Sequence, residues 1–179
     1  MDLPLTTYRV EPGAKDSLTS VSPDDTGPFS PDGEGRELAR KRLRAQKKRL
    51  AELQNLLYAA SSHSLLVVLQ ALDAGGKDGT IRRVMTGVNP QGVRVTSFKA
   101  PTPEELAHDF LWRITKPLPA RGMIAVYNRS HYEDVLIARV NTIVPKAVWS
   151  GRFEMINHFE KSLVENGTAI VKLYLHISK

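Results

Sequence analysis

A continuous apolar run, Ser64–Gln70 (SLLVVLQ), passes through a glycine-rich turn into a helix-patterned segment, and this succession constrains the chain most strongly. Five consecutive apolar residues, Leu65–Leu69, are expected of a strand buried on both faces, which in turn requires helices on either side of a parallel sheet. The turn itself reads Asp73-Ala74-Gly75-Gly76-Lys77-Asp78-Gly79-Thr80. Glycines allow successive backbone N–H groups to converge, the helix N-terminus adds partial positive charge, and the lysine adds a full one. Measured against G-x-x-x-x-G-K-[ST], Ala71 stands where the first glycine belongs and Asp78 where the Ser/Thr belongs. The stretch is therefore either a phosphate cradle or a plain glycine-rich strand-to-helix turn.

The rest of the chain alternates in the same way. Val93–Phe98, Met123–Tyr127 and Ala169–His176 have strand patterning. Ile81, Val84, Met85 and Val88 mark one helix stripe, which Asn89-Pro90-Gln91-Gly92 is expected to break. Thr102-Pro103-Glu104-Glu105 has the form of a capping box, opening a helix that would pack through Leu106, Phe110 and Ile114. A further helix is expected from Pro145 to Asn166, with Trp149, Ile156, Phe159 and Leu163 inward. The fold class is thus α/β, a parallel sheet with right-handed crossovers.

Charge divides the chain unequally. Residues 1–35 hold two cations against seven carboxylates and 5 of the 11 prolines, and read as a loosely ordered arm. Residues 36–179 hold 23 cations against 12 carboxylates, a balance that attracts polyanions. Their first element, a basic helix over 36–60, carries Arg36, Arg40, Lys41, Arg42, Arg44, Lys47, Lys48 and Arg49 in its first half and Leu43, Leu50, Leu53 and Leu57 as its apolar positions. The core then occupies 61–179. The chain has no cysteine, which excludes disulfides, thiolate catalysis and Cys-ligated metals. No apolar run reaches the ~20 residues of a membrane span, so a cytoplasmic setting without membrane contact is expected. No nucleic-acid module is recognisable, and aromatics for base stacking are few.

Besides Lys77, four residues carry possible chemistry: one opens the glycine turn and three lie outside it. Asp73 lies at the strand end, where a carboxylate can hold Mg²⁺, orient a nucleophile or simply form a turn. Asn128 and Arg129 follow the third strand, at the carboxyl edge where ligands of open parallel sheets collect. Arg129 suits a bidentate grip on phosphate. Arg113, in an otherwise apolar stretch, either reaches solvent or meets an anion. Ser130 and Glu133 also fit a capping box, and the five histidines have no metal-ligand spacing.

Two long segments, LQALDAGGKDGTIRRVMTGVNPQGVRVTSFKAPTPEELAHDFLWR and YNRSHYEDVLIARV, make the chain resemble the polyphosphate kinase 2 family. That resemblance implies a P-loop kinase-like sheet flanked by helices and Mg²⁺-dependent phosphoryl transfer between inorganic polyphosphate and AMP, ADP or ATP. It implies that Lys77 and the amides of Gly75, Gly76, Asp78, Gly79 and Thr80 grip phosphate, and that Asp73 serves metal and transfer. Arg113 and Arg129 would hold nucleotide phosphates, with Asn128 beside them and Glu133 and Asp134 near the base. The Asn-Arg-Ser-His-Tyr-Glu-Asp sequence resembles the family's third class, which phosphorylates both mono- and diphosphates; many other members have Asp where Asn128 stands. Members are expected to be homo-oligomers. They continue past the fourth strand into a basic lid and closing helices, and against that pattern the chain reads as truncated before the lid. The alternatives are an impaired polyanion-binding fragment and an ATP-dependent nucleotide kinase of the same fold.

Overall fold

A computed structural model describes residues 8–11, 13–14, 18–140 and 145–178; the parts of the arm at 1–7, 12 and 15–17, and Lys179, lie outside them. The elements are α1 (Gly33–Ala60), β1 (Ser64–Ala71), α2 (Lys77–Met85), a 3₁₀ turn (Pro90–Gly92), β2 (Val93–Ser97), α3 (Pro103–Leu106), α4 (Trp112–Thr115), β3 (Ile124–Asn128), α5 (Glu133–Val140), α6 (Lys146–Glu165) and β4 (Thr168–Leu175). Two compact units are present, Met1–Gln46 with His176–Lys179, and Lys47–Leu175. The division falls inside α1, not at residue 35 where composition changes.

In the first unit, side chains tie a series of turns. Tyr8 donates to Asp25 at 3.0 Å, and Asp25 accepts from the Gly27 amide at 2.8 Å. Asp32 accepts from the Gly35 amide at 2.8 Å, capping α1, which starts three residues before the position expected from its basic run.

The second unit is a four-stranded sheet of order β2-β3-β1-β4 in which every pairing is parallel. All five residues of β3 are buried, as a central strand covered on both faces requires. Leu66, Val68, Phe98, Ile114, Ala125 and Tyr127 form the core cluster. The Tyr127 hydroxyl, fully buried, donates to the Ile114 carbonyl at 2.7 Å, so the one polar atom of that ring is satisfied. On the second half of α1, Leu50 and Leu57 are half-buried as expected, but Leu53 is exposed and Gln54 is buried instead. The Gln54 side-chain oxygen accepts from the Asn89 amide at 3.0 Å, which anchors the turn before β2.

Two helices depart from expectation. The capping box of Thr102 and Glu105 forms, with Thr102 Oγ1 accepting from the Glu105 amide and Glu105 from the Thr102 amide. The helix it opens nevertheless ends at Leu106, whose side chain is exposed. Asp109 explains the interruption, because its side chain accepts from the Leu111 amide at 2.9 Å and offers the backbone an alternative to helix. Ile114 then reaches the core from a separate helix, α4. Likewise α2 stops at Met85, before Asn89-Pro90; Gly87 at φ 97° has already turned the chain.

Candidate functional site

The carboxyl ends of β1 and β3 lie side by side, with Leu69 paired to Asn128. From β1 the chain turns through Ala74 at φ 59° and Gly76 at φ 75°, both left-handed, into α2. Gly75 is buried, and its amide donates to the Leu72 carbonyl at 2.9 Å. A Cβ at Gly75 would stand 2.7 Å from both the Ala71 Cβ and the Leu72 oxygen, so the close turn requires glycine there. Gly76 caps α2 without a side-chain hydrogen bond. The first-turn N–H groups are thus left to an incoming anion, beside the positive end of the helix.

Lys77 opens α2 and is buried, its Nζ donating to the carbonyls of Ala71 at 3.1 Å and Leu72 at 3.0 Å. The ammonium therefore sits on the end of β1, inside the turn it follows. Asp78, next along, accepts from the Asn128 side-chain amide at 2.6 Å. Asn128 is itself buried, with Ser97 Oγ at 3.4 Å on its other side. Arg129 takes a left-handed φ of 65°, its amide donates to the Leu69 carbonyl at 3.0 Å, and its guanidinium meets Asp73 at 2.7 Å. Asp73 is 91% exposed and Arg129 38%. Five residues singled out from sequence, Asp73, Lys77, Asp78, Asn128 and Arg129, thus share one strand-end site.

Arg113, Glu133 and Asp134 belong to other surroundings. Arg113 is buried and donates to the Lys99 carbonyl at 2.9 Å, with Glu105 at 3.7 Å, Asp134 at 3.5 Å and the Phe98 ring centre at 5.7 Å. The anions it meets in this structure are the protein's own. Burial raises the pKa of Asp134, and the Arg113 and Arg152 guanidinium groups oppose the shift. Arg113 also borders a cleft of about 410 Å³ with Arg94, Lys99, Lys116, Ser97 and Thr102. Glu133 is the first residue of α5, so the expected capping box with Ser130 does not form. Instead Ser130 Oγ accepts from the Tyr132 amide at 3.2 Å and from Gln70 Nε2 at 3.0 Å.

One cluster was not anticipated. Glu160 on α6 is buried among His131, Tyr132 and Lys172. The available signal was its position four residues after Ile156, inside the apolar stripe of its helix.

A parallel sheet whose first strand turns through glycines into a lysine-headed helix, beside an Asn-Arg pair on the adjacent strand end, defines a P-loop kinase-like α/β protein. The sequence model of the polyphosphate kinase 2 (PPK2) family matches residues 34–179, and the chain belongs to that family. It is 52% identical over 172 residues to the AMP/ADP-polyphosphate phosphotransferase of Meiothermus ruber, covering 96% of this chain and 63% of that protein. It is 47% identical to the ADP-polyphosphate phosphotransferase of Rhodopseudomonas palustris, covering 62% of it. The crystal structure of polyphosphate kinase 2 from Arthrobacter aurescens TC1 superposes with a TM-score of 0.90 at 44% identity, over 99% of this chain and 62% of that one. The chain thus spans somewhat over three fifths of these relatives.

Proposed function

We propose that the protein takes part in Mg²⁺-dependent phosphoryl transfer between inorganic polyphosphate and adenosine mono- and diphosphates. The observation that carries this reading is the convergence of Lys77, Asp73 and Arg129 on one glycine-rich strand end. Phosphoryl transfer asks a protein chiefly for positioning and charge neutralisation. In this reading the α2 amides and Lys77 hold the migrating phosphoryl group, and Arg129 neutralises charge as it passes. The cleft beside Arg113, Arg94, Lys99 and Lys116 offers a basic wall to the nucleotide. The named activities of the relatives, on AMP and ADP with polyphosphate, support the same substrates.

The donor set fits magnesium. Asp73 and Asp78 are carboxylates within one turn, and Mg²⁺ commonly takes one or two carboxylates while water and phosphate oxygens fill the rest. Asp73 contacts Arg129 through one oxygen and is almost fully exposed, and Asp78 is exposed as well. Asp73 and Asp78 would hold the ion, which would supply neutralisation of phosphate charge. A cytoplasmic setting is part of the proposal; among the described residues no helix is long and apolar enough to cross a membrane.

The test incubates the protein with polyphosphate, Mg²⁺ and AMP or ADP, without ATP as donor, and follows products by ³¹P NMR. In parallel, tripolyphosphate binding is measured by calorimetry. Lys77-dependent binding with formation of ADP or ATP supports the proposal. Binding that is indifferent to both Lys77→Ala and Arg129→Ala overturns it.

A further inference from the structure

The segment that presents Arg129 is held from behind by an ionic cluster in which Glu160 and His131 are buried and Lys172 is about half exposed. Glu160 Oε1 lies 3.1 Å from His131 Nε2 and accepts from the Tyr132 hydroxyl at 2.7 Å. Its other oxygen accepts from Lys172 Nζ at 2.6 Å, and Lys172 also donates to the Tyr132 hydroxyl at 3.0 Å. Glu160 comes from α6, Lys172 from β4, and His131 and Tyr132 from the turn two and three residues beyond Arg129. Both carboxylate oxygens are therefore used, and three elements distant in sequence meet at one charge.

Such a cluster is an inefficient way to fill space, because desolvation consumes much of the attraction and well-packed apolar residues often do better. What it supplies is fixed orientation. Arg129 needs that, since a left-handed φ of 65° is unfavourable for a side chain with Cβ and persists only where the surroundings over-determine it. On its sheet side the turn is held by the Arg129 amide on Leu69 and by Gln70 on Ser130. On its helix side Ser130 and His131 are wholly buried, Glu160 holds His131 and Tyr132, and Lys172 donates to Tyr132.

We infer that Glu160, Lys172 and Tyr132 are positioning residues for Arg129, forming a polar brace, buried at Glu160, that sets the guanidinium against the glycine-rich loop. The inference rests on the proposed phosphate site, and the experiment keeps the two apart. Tripolyphosphate affinity and melting temperature are measured for Tyr132→Phe, Glu160→Gln and Lys172→Arg, each alone and combined with Arg129→Ala, beside Lys77→Ala. Tyr132→Phe and Glu160→Gln are expected to weaken binding about 3- to 10-fold, as for coupled neighbours in a polar network, and Lys172→Arg to do less. In the Arg129→Ala background those losses should disappear, because the brace then has nothing to position. Losses that persist undiminished without Arg129, or an affinity unchanged while melting temperature falls, would show a purely structural cluster and overturn the inference. If Lys77→Ala weakens binding and the brace variants do not, the phosphate site stands and the brace fails. Binding unmoved by both Lys77→Ala and Arg129→Ala removes the phosphate site and the inference with it. Should Glu160→Gln not fold, Tyr132→Phe removes a single oxygen and decides the matter alone.

Discussion

The side-chain amide of Asn128 donates to the carboxylate of Asp78 at 2.6 Å, tying the end of β3 to the second residue of α2. Asp78 occupies the place of a P-loop Ser/Thr, so a carboxylate enters where a hydroxyl is usual. The amide opposite it is neutral, so the one negative charge of the pair stays on Asp78 and is met by an N–H donor. The pairing also explains how a buried Asn at a strand end is satisfied, since Ser97 lies on its other side at 3.4 Å.

Asn128→Asp should convert that hydrogen bond into a contact between two carboxylates, which must then share a proton or a cation. Without divalent ions at pH 7.5 the variant is expected to melt about 3–6 °C lower, the usual response of a chain this size to one or two kcal/mol. Magnesium should restore much of the difference. Thermal melts with EDTA and with Mg²⁺ check it; an unchanged melting temperature in EDTA would mean that the Asn128–Asp78 bond has no weight in the fold.

Lys77→Ala is expected to lower phosphoryl transfer by about 10²-fold or more, the range for removing a preorganised charge partner of a transition state. The same substitution strips the carbonyls of Ala71 and Leu72 of their shared donor, so a modest fall in melting temperature should accompany it. Single-turnover rates at saturating substrate separate the two effects. A rate near wild type would remove Lys77 from the chemistry.

The two neighbouring glycines should respond differently to alanine. Gly76 has open space around its Cβ position and a φ of 75°, so Gly76→Ala meets only the left-handed penalty, roughly 1–2 kcal/mol. At Gly75 the added carbon would stand 2.7 Å from a backbone oxygen and from the Ala71 side chain, and the turn must shift. Gly75→Ala is therefore expected to lose more stability and more tripolyphosphate affinity than Gly76→Ala. Equal effects in melts and calorimetry would show that the turn yields without cost.

What could be read in sequence was what local pattern controls. The β1 run, the glycine turn and Lys77 lie within seventeen consecutive residues, and their spacing alone orders strand, loop and helix. Asn128 and Arg129 lie beside the end of β1 because a parallel sheet brings strand ends to one edge. Readings failed where one side chain outvoted the pattern. Asp109 broke the helix expected through Leu106 and Ile114, and Gln54 took the buried place expected of Leu53. Arg113 could not be resolved between solvent and anion, because its partners Glu105 and Asp134 come from α3 and α5. Glu160 stands in the apolar stripe of α6, but its partners lie 12 to 29 residues away and only the fold assembles them.

Glu160 also sets an expectation for acid stability. Burial alone would push its pKa up, but hydrogen bonds from His131, Lys172 and Tyr132 outweigh burial and bring it down to about 2, against an ordinary 4.5. A carboxylate with a lower pKa folded than unfolded binds fewer protons in the native state. Its stabilisation is complete above about pH 4.5 and drains away as pH falls toward 2. Asp134 acts with the opposite sign, because burial raises its folded pKa and the native state takes up that proton first. Other carboxylates contribute equally in wild type and in Glu160→Gln, so the difference between the two isolates Glu160. The variant should melt below wild type at pH 7, and the gap should narrow steadily between pH 4.5 and the acid limit of the experiment. Melting curves collected at half-unit steps from pH 7 downward give the comparison. Two lines that stay parallel to the lowest pH would show that the Glu160 charge, and with it the grip on His131, Tyr132 and Lys172, contributes nothing to holding α6 and β4 against the turn.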